Sequence, residues 1–215
     1  MSELRLFPLR TVLFPGMTLP LRVFEDRYRQ LVSECVASVE PFGVALIREG
    51  DEVGGSAVPH DIGTTARIES LEHDEDGVIH LLAAGVQRFR VTELYDDRPY
   101  LWANVEYPLD DETATDEPVE AQLRERYAAL LQLQRTRRGE YVREPSMPSD
   151  VARLTDAVGA SLDTSAEALQ ALLSTFDVVE RAERATELLR DAIPIAERDA
   201  RIALIERRGG TAAFN

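Results

Sequence analysis

The chain is 215 residues long, 44% hydrophobic, and carries a formal net charge of -15, which is apolar material for one large domain or two small ones. The acidic surplus is spread along it, with 10 arginines against 19 acids in residues 1–110 and 14 against 20 in residues 111–215. Neither half offers the positive field that a phosphate backbone or an anionic bilayer selects for, so nucleic acid and membrane are excluded as expected partners.

The first signal is FPLRTVLFPGMTLPLRVFEDRY, residues 7–28, which has no charge between Thr11 and Leu21 and yet holds Pro15, Gly16 and Pro20. Those three residues forbid a continuous helix, and each proline removes a ladder donor from a strand. Two readings follow. In the structural one the prolines and Gly16 turn the chain around a corner while Phe7, Leu13, Phe14, Leu19, Leu21 and Phe24 fill a core, the rule for most large apolar side chains. In the functional one some of Phe14, Pro15, Met17 and Pro20 stay exposed as an adaptable apolar surface for another polypeptide.

Residues 25–38 place Tyr28, Leu31, Val32, Cys35 and Val36 at helical spacing. FGVALI at 42–47 reads as a buried strand, and REGDEVGGSAVPHD after it as a mobile loop. The pattern then turns to β. Strands are predicted over 64–72 and 78–84, joined by DEDG with its Asp76-Gly77 turn, and over 86–95 and 100–107, joined through Asp96, Asp97, Arg98 and Pro99. With strands near 3–9, 17–23 and 42–47 the total is about six and one inserted helix, which suits a small closed or half-closed barrel. By alternation Phe89 and Val91 point inward and Arg88 and Arg90 outward, toward nearby acids. The core is also the first expectation for Tyr95 and Tyr100; Trp102, the sole tryptophan, either caps the barrel or lines a cleft.

The acidic PLDDETATDEP at 108–118 marks a boundary, with Pro118 placed to open a helix. Beyond it the period is helical. Stripes run through Val119, Leu123, Tyr127, Leu130 and Leu131, through Val151, Leu154, Val158 and Leu162, and through Leu169, Leu172, Leu173 and Phe176. Capping boxes are legible at Thr164 with Glu167 and Asp177 with Glu180. A last helix starts near Val178, with Pro194 expected to kink or interrupt it before Ile202 and Ile205. The arginines at 135, 137, 138, 207 and 208 fit helix C-terminal ends. The fold class is therefore α+β, with a barrel over residues 1–110 and a bundle of four helices over 111–215.

Several chemistries lack their residues. The chain contains no lysine, so it has neither the amine of a phosphate-binding GK[ST] loop nor that of a serine–lysine dyad. Cys35 is the single cysteine, and His60, His73 and His80 lack metal-ligand spacing, so neither a disulfide nor a metal cofactor is expected. No GxSxG elbow occurs. Glu3, Arg5 and Arg10 break up any secretory hydrophobic stretch, and the longest uncharged run is about half of what a bilayer requires. Cytoplasmic residence is the expectation.

FPLRTVLFPGMTLPLRVFEDRY resembles the opening of the Lon protease amino-terminal domain, and GTTARIESL at 63–71, GVQRFRV at 85–91, RPYLWANVE at 98–106 and LLSTFDVVERAERATELL at 172–189 resemble later parts of it in order. The resemblance implies a PUA-like barrel followed by a helical bundle that selects and holds protein substrates ahead of an ATPase and a peptidase, both of which depend on lysine. A binding module without enzymatic activity and without cofactor is expected, whose partner is an unfolded or partner polypeptide. The contact residues expected on the barrel are Phe14, Pro15, Met17, Pro20, Tyr100 and Trp102. The alternative is a regulator that docks on full-length Lon protease or another partner through the helical half; an exposed apolar patch on that half would favour it. The oligomeric expectation is a monomer or weak homodimer.

Overall fold

A computed structural model of the chain describes residues 2–54, 57–111, 116–140 and 146–211, the last four without side chains. Residues 55–56 of the predicted mobile loop and 112–115 of the acidic boundary lie outside the described residues. The chain divides into two compact units, one of residues 1–110 with 165–176 and one of residues 111–164 with 177–215.

In the first unit the strands are β1 (Ser2–Leu9), β2 (Thr18–Val23), β3 (Phe42–Glu49), β4 (Val58–Pro59), β5 (Ile62–His73), β6 (Ile79–Tyr95) and β7 (Trp102–Glu106), with helix α1 (Asp26–Ser38) between β2 and β3. β1, β7, β6, β5 and β3 pair in that order, and β3 pairs back onto β1, which closes a five-stranded barrel. The closing pair is parallel, Leu6 facing Gly43 and Leu9 facing Leu46, while the other strand pairs are antiparallel. The 32-residue excursion through β2 and α1 is the crossover that parallel pairing requires. The main barrel core gathers Phe7, Leu13, Leu19, Val23, Phe42, Val44 and Ala83 with Tyr28, Leu31, Val32 and Cys35 of α1. Val36 falls off that stripe and is 52% exposed.

The predicted strands 78–84 and 86–95 are one 17-residue strand, β6, which pairs with β2 in its first third and with β7 from Arg90 onward. Gly85 lies where the partner changes. A Cβ there would meet the Phe14 carbonyl oxygen at 2.2 Å, so only glycine lets the F-P-G turn cross the strand. Gly16, at φ 79°, donates from its N–H to the Gly85 carbonyl at 2.9 Å, and the Gly85 N–H donates to the Met17 carbonyl at 2.8 Å. The uncharged opening run is thus mainly a barrel corner: Val12, Leu13 and Phe14 are buried. Phe24 departs from its expected core place at 46% exposure, because strand alternation turns Val23 inward and Phe24 outward.

The short helix α4 (Ala166–Leu173), expected in the bundle, belongs to this first unit. Its N-cap is Ser165, whose hydroxyl accepts from the Ala168 N–H at 3.2 Å, one residue beyond the predicted Thr164. It is pinned over the barrel wall by Gln170, whose side-chain amide donates to the Ile62 carbonyl at 3.0 Å, and by Arg88, whose Nε donates to the Leu173 carbonyl at 2.9 Å. Arg88 does point away from the barrel interior, but α4 covers it and leaves it 6% exposed, against the expected surface position. Arg90 does reach a surface acid, Glu106, at 2.9 Å.

The second unit holds α2 (Glu117–Arg138), α3 (Val151–Ser161) and α5 (Val178–Thr211). Their stripes supply the buried Leu123, Tyr127, Leu130, Leu154, Val158 and Leu189. The amino-terminal ends of all three line one cavity of about 250 Å3. Each is capped by an aspartate, Asp116, Asp150 or Asp177, that accepts the backbone N–H three residues on, the charge that three assembled positive dipole ends call for. α5 continues through Pro194, so of the kink or interruption expected there the interruption does not occur. At the far end Arg207 donates to the Thr136 carbonyl at 2.9 Å and to the Arg137 carbonyl, serving the last orphan acceptors of α2.

Candidate polypeptide-binding surface

A cleft of about 400 Å3 on the barrel unit lies between the β6–β7 turn, the first turn of α1, Pro8 and Ala57–Val58. Its floor is aromatic. The Tyr28 ring stacks on Phe7 with centroids 3.9 Å apart, and the Arg27 guanidinium lies over it at 4.5 Å. Arg27 is fixed there by Glu25 at 3.0 Å and by the Glu52 carbonyl at 3.1 Å. Tyr100, 3% exposed, lines the other side and donates its hydroxyl to Glu34, which also accepts from Arg5 at 3.1 Å. The Tyr100 hydroxyl, then Gln30, hold the Glu34 carboxyl below the usual range, while burial, seconded by Glu34, pushes Tyr100 up.

The cleft's outer wall is built on the turn that the sequence marks with Asp96, Asp97, Arg98 and Pro99. Tyr95 and Arg98 both line the cleft and both pack on Trp102, the tyrosine stacked at 4.1 Å and the guanidinium at 4.3 Å. Trp102 is anchored by its Nε1–H to Asp97 at 2.6 Å, and Arg98 by Glu3 at 2.6 Å. Leu94, 40% exposed, is the apolar side chain left open at the mouth. Both cleft arginines are paired with acids, so the recess offers aromatic and aliphatic contact rather than a free positive charge.

The residues expected at a binding surface separate. Phe14 is 1% exposed and cannot touch a partner, because the crossing over Gly85 drives it inside. Tyr100 is likewise buried, by its own packing and its bond to Glu34, although it lines the cleft. Met17 is half-buried against the barrel core and Pro15 half-buried in the turn. Trp102 is half-exposed beside the cleft. Pro20 is exposed on a different, shallower recess of about 350 Å3 shared with Arg22, Glu72, His80 and Leu82.

Pro20 also decides what β2 can do. The Gly85–Met17 bond makes that pair a hydrogen-bonded one, so by alternation Leu19/Ala83 and Leu21/Leu81 are too, and Pro20, opposite Leu82, turns its nitrogen to the open side of β2. The missing N–H interrupts the free edge where an added strand would need a donor, a common protection of edge strands. Tyr28 and Leu94 were not singled out by sequence as contact residues. Tyr28 lies on the core stripe of α1, and periodicity does not separate a buried ring from the edge that lines a cleft; Leu94 carries no signal beyond strand alternation.

Among the described residues no group of three or more His, Cys, Asp and Glu could hold a metal ion. Cys35 is 1% exposed, and burial pushes its thiol up to about 11, which removes it as a nucleophile near neutral pH. No helix among the described residues is long and apolar enough to cross a membrane.

Comparison with known proteins agrees with this architecture. The family model described as the ATP-dependent protease La (LON) substrate-binding domain matches residues 3–191. Lon protease 2 of Myxococcus xanthus is 32% identical over 198 residues, and Lon protease of Paraburkholderia phytofirmans 30% identical over 206. These alignments take in 86% and 90% of this chain but 23% and 25% of those proteins, so the chain spans about a quarter of the length of these curated relatives. The crystal structure of a Lon N-terminal domain protein from Xanthomonas campestris superimposes with a TM-score of 0.67 at 30% identity, covering 86% of this chain and 96% of that one. The N-terminal domain of Mycobacterium avium complex Lon protease gives 0.68 at 23% identity, covering 88% and 99%, a likeness of fold. Barrel, inserted helix and helical unit together define a Lon-type N-terminal domain. The chain belongs to the LON substrate-binding domain family.

Proposed function

We propose that this chain is a non-catalytic module that holds a segment of unfolded polypeptide against its barrel unit, with an apolar side chain of the client seated in the cleft between Tyr28, Leu94, Tyr95 and Tyr100. The observation that carries the reading is the cleft itself, an aromatic floor with an exposed aliphatic mouth and no unpaired cation. Contacts of this kind are indifferent to the client's exact sequence. The acidic surplus of residues 1–110 keeps such a surface in solution and favours client segments that carry arginine or lysine beside the apolar residue. The absence of lysine supports a binding role, since neither a Lon-type ATPase loop nor a serine–lysine dyad can be assembled from these residues.

Trp102 gives a direct test, because it is the only tryptophan and packs on two cleft residues. A reduced, alkylated polypeptide lacking tryptophan is titrated into the protein while Trp102 emission is followed. A saturable change is expected, and Leu94→Glu, which places a charge at the mouth without disturbing a buried group, should weaken it roughly tenfold. Unaltered binding in Leu94→Glu would remove the cleft from the account.

A further inference from the structure

Exposed apolar residues on the barrel unit are scattered, whereas on the helical unit they concentrate on one helix. On α5, Ile195, Ile202 and Ile205 are 55%, 48% and 64% exposed. Their spacing of seven and three residues puts them on one side of the helix. Ile195 also lines a cleft of about 80 Å3 whose walls combine Leu130, Leu133 and Leu162 with Arg137, Asp163 and Asp199. Stripe and cleft are therefore continuous through Ile195, in the form that receives the apolar face of another helix.

The charge around this stripe runs against that of the chain. Residues 132–140 and 195–207 hold six arginines, at 135, 137, 138, 198, 201 and 207, against four acids, in a protein of net charge -15. Three of them stand in the last turn of α2, where the carbonyl ends hold cations in place. Asp199 is engaged on both sides, with Arg137 at 3.8 Å and Arg198 at 3.7 Å, so these two arginines share one acid.

We infer that the 195–205 face of α5, with the cleft at its amino-terminal end, docks an amphipathic helix of a partner protein whose apolar stripe is flanked by glutamate or aspartate. A ridge of isoleucines along α5 beside a groove suits ridges-into-grooves packing with another helix, and the arginine excess selects an acidic one over a basic one. A second copy of this chain fits less well, since α5 over 195–207 carries three arginines and three acids and brings no net negative charge to meet the arginines at the end of α2.

The probe is a synthetic helical peptide of about 20 residues with a leucine stripe flanked by glutamates, labelled with fluorescein and titrated with the full chain by anisotropy. Saturable binding is expected, weakened severalfold between ~0.05 M and ~0.5 M salt and weakened roughly tenfold by Ile202→Asp. Arg201→Glu should weaken the same peptide and strengthen a matched peptide with arginine flanks. Both substituted side chains are exposed, and circular dichroism of each variant checks the fold. Leu94→Glu should leave this binding intact, which separates the docking face from the client cleft. The inference is overturned by absence of saturable binding, by equal affinity for the arginine-flanked peptide, by unchanged affinity in Ile202→Asp, or by self-association in sedimentation that Ile202→Asp abolishes, which would make a second copy the occupant.

Discussion

Each unit buries one arginine among its described residues, and the two are held at opposite ends of helices. Arg88 of the barrel, 6% exposed, gives its Nε–H to the Leu173 carbonyl at the carboxyl end of α4, where the helix dipole is negative and an orphan acceptor waits. Arg181 of the helical unit, 0% exposed, stands in the first turns of α5, where the dipole is positive and disfavours a cation. Its Nε–H goes to the Thr155 hydroxyl at 2.8 Å on α3, beside Asp156, itself only 5% exposed. A cation kept at the unfavourable end of a helix and out of water has to be over-determined by its neighbours. The barrel uses its arginine to fasten a helix that returns from far along the chain; the helical unit builds its centre around one.

The contrast ranks the substitutions. Arg181→Ala should cost the most, about 3–5 kcal/mol, because it leaves the polar groups around a fully buried site unpaired. Urea denaturation should show the loss as a lower midpoint. Arg88→Ala should cost less, about 2 kcal/mol, since the Leu173 carbonyl it frees at a helix end and the Asp110 carboxylate 3.9 Å from its guanidinium can be reached by water once the side chain is gone. The loss should also be local: faster amide exchange in 166–176, the α4 segment, with the strands of the barrel unchanged. Equal costs for the two variants would mean that the dipole has no part in the difference.

What the sequence disclosed follows the same division. Period and punctuation were sufficient for α1, for the Asp76-Gly77 hairpin and for the stripes of α2 and α3, because each is a local pattern whose burial depends on one face. Gly85 misled, since a glycine inside a β pattern reads as a break, and the reason it is needed, the Phe14 carbonyl 2.2 Å from where its Cβ would be, comes from 71 residues away. The stripe of α4 is indistinguishable from that of a bundle helix; nothing in Leu169, Leu172 and Leu173 says which apolar surface receives them. At the candidate site, aromatic composition around the Asp-Asp-Arg-Pro turn drew notice to Tyr95, Tyr100 and Trp102. Which of the three is open to a partner is set by the Tyr100–Glu34 bond and the Tyr95–Trp102 stack, both made by residues far apart or on separate strands.

A gentler probe of the barrel is pH, through the Glu34 cluster under the cleft. Glu34 is held below the usual carboxylate range first by the Tyr100 hydroxyl and then by Gln30, Glu40 first by Arg5, and Asp74 first by the Val78 N–H in the hairpin turn. A carboxyl whose folded value is depressed contributes stability that is present above its unfolded value and is lost as pH falls through the folded one. The melting temperature should therefore decline on acidification through the carboxylate range. Tyr100→Phe should flatten part of that decline by letting Glu34 return toward its ordinary behaviour, with a small loss of stability at neutral pH and no change in the acid response that Asp74 provides. Glu40 is exposed and Glu34 and Asp74 are partly open to water, so the effect is modest and shrinks further in salt. An acid limb in Tyr100→Phe that superimposes on that of the parent chain would show that the Tyr100–Glu34 bond does not shape the barrel's stability, and the cleft's buried side would then rest on the Phe7–Tyr28 stack alone.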